Sequence, residues 1–221
     1  MANASFSYPT QRRFNVASET KIVIAALVVA WFAIVAVLGV LGRFVTAPGM
    51  APLPILLGVL APIAVFFVAY LLSQTIREYA LAIDPRLMLA IQAWRFAGIG
   101  FLALYVYGVL PGFFAWPAGL VDIAIGVTAP LLLTVLLRKP RFAASRTFVI
   151  WNLLGILDLV VALSTGALGA MWVAGPNTGA TTGAMAHMPL VLIPVFFVPI
   201  FLALHVSALL QARGLATTQE A

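Results

Sequence analysis

Arg95, Asp122, Asp158 and His205 are ionisable residues set in stretches that are otherwise almost wholly apolar. A charge at the centre of a bilayer costs at least ~2.5–3.5 kcal/mol, so such residues normally face a bundle interior, pair with one another and mark function. Two carboxyls, a guanidinium and an imidazole are the groups of a proton relay or an ion-coupled carrier. The carboxyls would take up and release protons, the guanidinium would supply counter-charge, and the imidazole would exchange protons at the inner side. With Asn152, they form the candidate substrate- or proton-binding set. The same residues also admit a structural reading: a buried Arg–Asp pair supported by Asn and His fixes helix register.

Other chemistries fail on residue type or spacing. Cysteine is absent, so there is no disulfide and no thiolate metal site. A protein-supplied zinc site would need three or four His, Cys or carboxylate ligands, and these do not cluster along the chain. A bis-histidine haem needs two facing histidines. The two present, His187 and His205, would lie about 27 Å apart along one helix. Walker, intact GxSxG and HExxH motifs are missing, and Ser164 and Thr165 are too far outward to serve Arg95 and Asp158 as a nucleophile. No cofactor is expected, and enzymatic activity is unsupported.

The elements that must position these residues are membrane spans. Hydrophobic residues make up 64% of the 221 positions and charged residues 8%, against ~45–50% and ~25% in soluble domains. The fold class this implies is all-α, a polytopic six-helix transmembrane bundle. Six segments reach the ~20 apolar residues a span needs, at about 20–45, 53–76, 87–110, 117–137, 147–170 and 189–211. Residues 1–19 and 212–221 read as polar tails flanking a single domain. Arg12-Arg13-Phe14 loosely fits a twin-arginine export signal, but the 26-residue span behind it is too long for a signal segment. The pair reads as a positive flank.

Charge sets the expected topology. With the N-terminus inside, the inner segments hold Arg12, Arg13, Lys21, Arg77, Arg86, Arg138, Lys139, Arg141, Arg146 and Arg213, and the outer side only Arg43. That asymmetry predicts both termini in the cytoplasm, and it accounts for the net charge of +6 without nucleic acid. The outer connectors are turn-rich: Ala47–Pro52, Leu110–Pro117 and the Gly175–Gly179 run. Trp116 and Trp172 read as an interfacial belt, with Phe113, Phe114 and Trp116 as an alternative site mouth. Pro62, Pro130, Pro194 and Pro199 fall within spans, where each removes a backbone donor and favours a kink. A bend at the last two would aim His205 at the bundle axis.

Helical spacing predicts which faces meet. Arg95, Gly98, Leu102 and Tyr105 form one stripe of span three, Asn152, Gly155, Asp158 and Ala162 one of span five, and Asp122 with Gly126 one of span four. Small residues beside polar ones permit close helix approach. At a rise of ~1.5 Å per residue, Arg95 lies about 12 Å from the inner end of its span and Asp158 about 16 Å. Asn152 and His205 lie about 8 and 9 Å from that side. Asp122 is placed about 8 Å below the outer boundary, so the groups read as stations on a path. An Arg95–Asp158 pair neutralises both charges and leaves Asp122 without a basic partner, either protonated or in external water. Gln74, Gln92, Tyr105 and Tyr107 read as satisfied polar tips.

The segments Gln92–Leu102, Leu110–Gly119 with Asp122, and Trp151-Asn152-x2-Gly155-x2-Asp158-Leu159 resemble a group of small bacterial integral membrane proteins. The resemblance covers about residues 85–210 and leaves out the first two spans. It implies a bacterial inner-membrane location and carries no activity. Two functions stand from the residues: a small proton-linked carrier or permease, or a non-transporting subunit of a larger membrane complex in which the polar residues hold helices together. A membrane enzyme or quinone-binding protein ranks behind both, resting on the aromatic connectors. The expected partners are membrane lipid and either a second copy or another membrane protein.

Overall fold

The computed structural model describes residues 17–171 and 180–219. The Gly175–Gly179 connector, Trp172 and the Arg12-Arg13 pair lie outside them. Six helical segments are long and apolar enough to cross a membrane, as expected for an integral membrane protein, and no strand occurs among the described residues.

Helix α1 spans Ser18–Val40 and α2 Leu53–Leu72. Ser73 breaks the helix and caps α3, Gln74–Ala82, accepting from the Ile76 N–H at 3.4 Å. Arg77 turns back to donate to Leu71 O at 2.9 Å and Tyr70 O at 3.3 Å, so a cation covers carbonyls that the end of α2 leaves open. Asp84 accepts from the Arg86 N–H at 2.8 Å, and Pro85 opens α4, Pro85–Gln92. The third span continues through a 3-10 segment, Ala93–Gly98, into α5, Ile99–Val106. Helix α6 runs Gly112–Arg138, and α7 Arg146–Met171 starts behind Ser145, whose hydroxyl accepts from the Phe148 N–H. The chain then passes a cis Met188–Pro189 bond and a π segment, Ile193–Phe197, into α8, Val198–Gln219. Pro199 cannot donate to Val195 O, and its ring crowds that carbonyl. The widened π turn falls there. Helix α8 continues to Gln219, past the expected boundary at 211.

Burial is uneven. Only Val35 and Gly39 of α1 and Val59 of α2 are buried, so these two helices present apolar side chains outward nearly all round, as expected of surfaces facing lipid. They dock on the π segment. Trp31 and Phe32 pack on Phe196 with ring centroids at 4.8 and 5.1 Å. A Cβ at Gly39 would lie 2.8 Å from Met188 Sδ, and one at Gly58 2.7 Å from Val195 Cγ1. The last span is the most enclosed, and its core face meets α4, α6 and α7 through Leu204, Ala208 and Ala212.

Candidate functional site: a polar layer around Arg95

Span three and α6 touch backbone to backbone. The main chain of Arg95 and Phe96 lies directly over Gly126, where a Cβ could not fit. A Cβ at Gly98 would meet the side chain of Asp122, and one at Gly119 would lie 2.9 Å from Leu102 and 3.0 Å from Gly98 O. Glycines on both helices therefore bring the Arg95 side chain level with Asp122 at short range. The 3-10 geometry of Ala93–Gly98, with three residues per turn, puts Arg95 and Gly98 on one line toward α6.

Arg95 is the hub. Its Nε donates to Asp122 Oδ1 at 2.6 Å on α6. Its Nη2 donates to Asp158 Oδ2 on α7. Its Nη1 donates to Gly155 O at 3.3 Å and meets His205 Nε2 of α8 at 3.1 Å. The ring of Phe201 lies 6.0 Å from the guanidinium carbon. One side chain thus ties span three to α6, α7 and α8, using the planar fork that only arginine supplies.

The imidazole state follows from its partners. Asn152 Nδ2 donates to Phe148 O at 2.8 Å, leaving Asn152 Oδ1 to face His205 Nδ1 at 2.9 Å as an acceptor. The ring proton therefore sits on Nδ1, and Nε2 accepts from Arg95: a neutral histidine assigned from the hydrogen-bond pattern. Gly155 is where the ring lies, since a Cβ there would collide with the imidazole. Trp151 packs edge-on to the ring at 5.4 Å and donates its indole N–H to Thr128 Oγ1 at 2.9 Å.

The layer is enclosed. Arg95, Asn152, Asp158 and His205 are all buried, and the Asp122 side chain retains 16% exposure. The surface hollow formed by Ala36, Val37, Val40 and Leu41 is apolar and belongs to α1, away from these residues. No group of three or more metal-ligating side chains occurs among the described residues.

All five residues singled out from sequence come together here, but the placement of Asp122 needs correction. It has a basic partner, Arg95, and is neither isolated nor in bulk external water. The difference arises at Pro117, where the sequence pattern alone starts span four. Helix α6 starts at Gly112 and carries Pro117 and Pro130 inside it, so Asp122 lies ten residues along, about 15 Å deep. Arg95, ten residues past Pro85, and Asp158, twelve past Arg146, reach similar depths of about 15–18 Å. The expected path of stations is one layer. Phe114 is no site mouth: it is buried against Phe101 at 5.5 Å. Trp116 is half exposed and packs on Tyr105. Gln74 is satisfied by Glu78 at 2.7 Å. Gln92, read as a satisfied tip, is buried with one oxygen unpaired. Its position three residues before Arg95, on the same helical face, was the signal that could have placed it beside the site. Trp151, four residues before Gly155 and seven before Asp158, carries the same kind of signal, whereas Thr128 carries none.

Residues 50–213 match the family described as a domain of unknown function, DUF8737, and the chain belongs to that family. The match takes in the second span, which the resemblance read from sequence left out, and stops short of α1. No curated protein and no solved structure matches the chain.

Proposed function

We propose that this protein is a non-catalytic subunit or interaction protein of a larger membrane assembly, with the polar layer serving to hold four spans in one register. The observation that carries the structural role of the layer is the pairing of Arg95 with three helices at once, where Asn152 and His205 complete each other's bonds. A network in which every member is satisfied specifies one packing, because each slip or rotation strands a polar group away from water. The charge distribution along the chain supports both termini on the cytoplasmic side, and the resemblance to small bacterial integral membrane proteins supports a bacterial inner-membrane location.

A proton-linked carrier of unidentified substrate is the second reading, and charge count favours it. Arg95 supplies one positive charge against two carboxyls, and His205 is neutral. The ionised layer therefore carries one excess negative charge, which a single shared proton would cancel. Asp122 is the exchange site in this reading, being the most exposed of the group. Proteoliposomes separate the two. Under the subunit reading, wild type and Asp122→Asn are equally inert to an imposed pH gradient, and the variant loses about 1.5–3 kcal/mol of stability with its charge-assisted bond to Arg95. Dissipation of the gradient by wild type, lost in Asp122→Asn with folding intact, would overturn it in favour of the carrier.

A further inference from the structure

Buried polar side chains other than those of the layer are distributed unequally on its two sides. Toward the Leu110 end, the core is Phe101, Leu110, Phe114, Ala115, Ala118 and Met185, all apolar. The buried Thr182 at that end is satisfied, its hydroxyl donating to Gly166 O at 2.6 Å. Toward the Pro85 end, Gln92, Ser207 and Gln211, at 1%, 1% and 9% exposure, stand beside an apolar cluster that includes Met88, Leu89, Leu204, Ala208 and Ala212.

The two glutamines are each half satisfied. Gln92 Nε2 donates to Phe201 O at 3.1 Å, and Gln211 Nε2 donates to Ala80 O at 3.1 Å and Ile83 O at 2.9 Å. The Oε1 atom of each is buried without a hydrogen-bond partner. A buried acceptor left in this way costs about 1–3 kcal/mol. Both sites have a surplus of acceptors, since the neighbouring carbonyls keep a second lone pair. What they lack is a donor, and a small molecule with two O–H groups supplies it. Buried waters occupy such polar niches, with about three hydrogen bonds each.

We propose that Gln211 and Gln92 bind ordered water and form a one-sided hydrated file from the Asp84–Pro85 end of the bundle to the Arg95 layer. Gln211 lies beside Ile83, next to the exposed turn at Asp84, and marks the mouth. Ser207 shares the Gln211 face of α8, one turn nearer the layer. Gln92 is the inner station, one turn below Arg95. The aromatic core beyond the layer is the seal. Any proton exchanged by Asp122 or Asp158 would then travel to the Asp84 side alone. The file stands whether the layer is a helix clasp or a carrier site.

Two methionines make this testable. Both methionines lie in apolar clusters: Met88, at 2% exposure, one turn before Gln92, and Met185, at 6%, in the core on the other side. Synchrotron radiolysis of the full-length protein in lipid nanodiscs generates hydroxyl radicals from bound water in place. Met88 is expected to oxidise severalfold faster than Met185 despite its lower exposure, and Gln92→Leu to bring Met88 down to the Met185 rate. Equal slow oxidation of the two in the wild type would overturn the proposal. So would fast Met88 oxidation that persists in a folded Gln92→Leu protein. If that variant does not fold, the wild-type comparison decides alone, and a crystal or cryo-electron map with no density at Gln92 Oε1 and Gln211 Oε1 overturns the proposal equally.

Discussion

Replacing Arg95 by glutamine removes the only cation of the layer and leaves two carboxyls facing each other. Asp158 has a side chain only 2% exposed, so it cannot recover solvation where it stands, while Asp122 at 16% recovers part. Removing one partner of a buried ion pair costs about 3–5 kcal/mol. For a chain of this size that corresponds to roughly 6–20 °C in apparent melting temperature, at about 2–4 °C per kcal/mol. Asp158→Asn is milder, because Arg95 keeps Asp122, and the loss of one charge-assisted bond is worth about 1.5–3 kcal/mol. The two changes share one interaction, so Arg95→Gln/Asp158→Asn should fall short of the summed single effects by about 1–3 kcal/mol. Arg95→Lys should rescue little, since an ammonium cannot span α6, α7 and α8. The assay is thermal melting in mild detergent followed by size-exclusion fluorescence. Strict additivity, or an Arg95→Gln protein that melts with the wild type, would refute the pairing argument.

Gly126→Ala should lower stability by at least the ~1–3 kcal/mol typical of overpacking, because the new Cβ meets the backbone of Arg95 and Phe96. Gly100→Ala, with nothing within 4 Å, should be neutral or slightly stabilising in the same melt. Reporter fusions after Lys139 and at the C-terminus should read cytoplasmic and those after Leu110 external, as the charge asymmetry requires; inversion at Lys139 would remove the topology. Trp151→Phe should keep the packing on His205 but leave Thr128 without its indole donor, costing about 0.5–1.5 kcal/mol, measurable as a small shift in melting temperature.

The six apolar helical spans, and the inward turn of the ionisable residues within them, are legible in the sequence. Hydropathy is a local property, summed over ~20 neighbours, and needs no knowledge of what packs against what. Helical spacing likewise assigned the Arg95–Gly98 and Asn152–Gly155–Asp158 stripes to contact faces, since periodicity is fixed by backbone geometry. The partners are a matter of packing between distant segments. Arg95 reaches Asp122, Asp158 and His205 across 27, 63 and 110 residues of chain, and no local rule ranks one distant carboxyl over another. Which carboxyl pairs depends on depth, and depth on where each helix begins. Five residues, from Pro117 back to Gly112, move Asp122 by about 7.5 Å along its helix. That shift carries it from about 8 Å below the outer boundary into the layer, where a glycine-to-glycine approach of two helices lets one guanidinium hold both carboxyls.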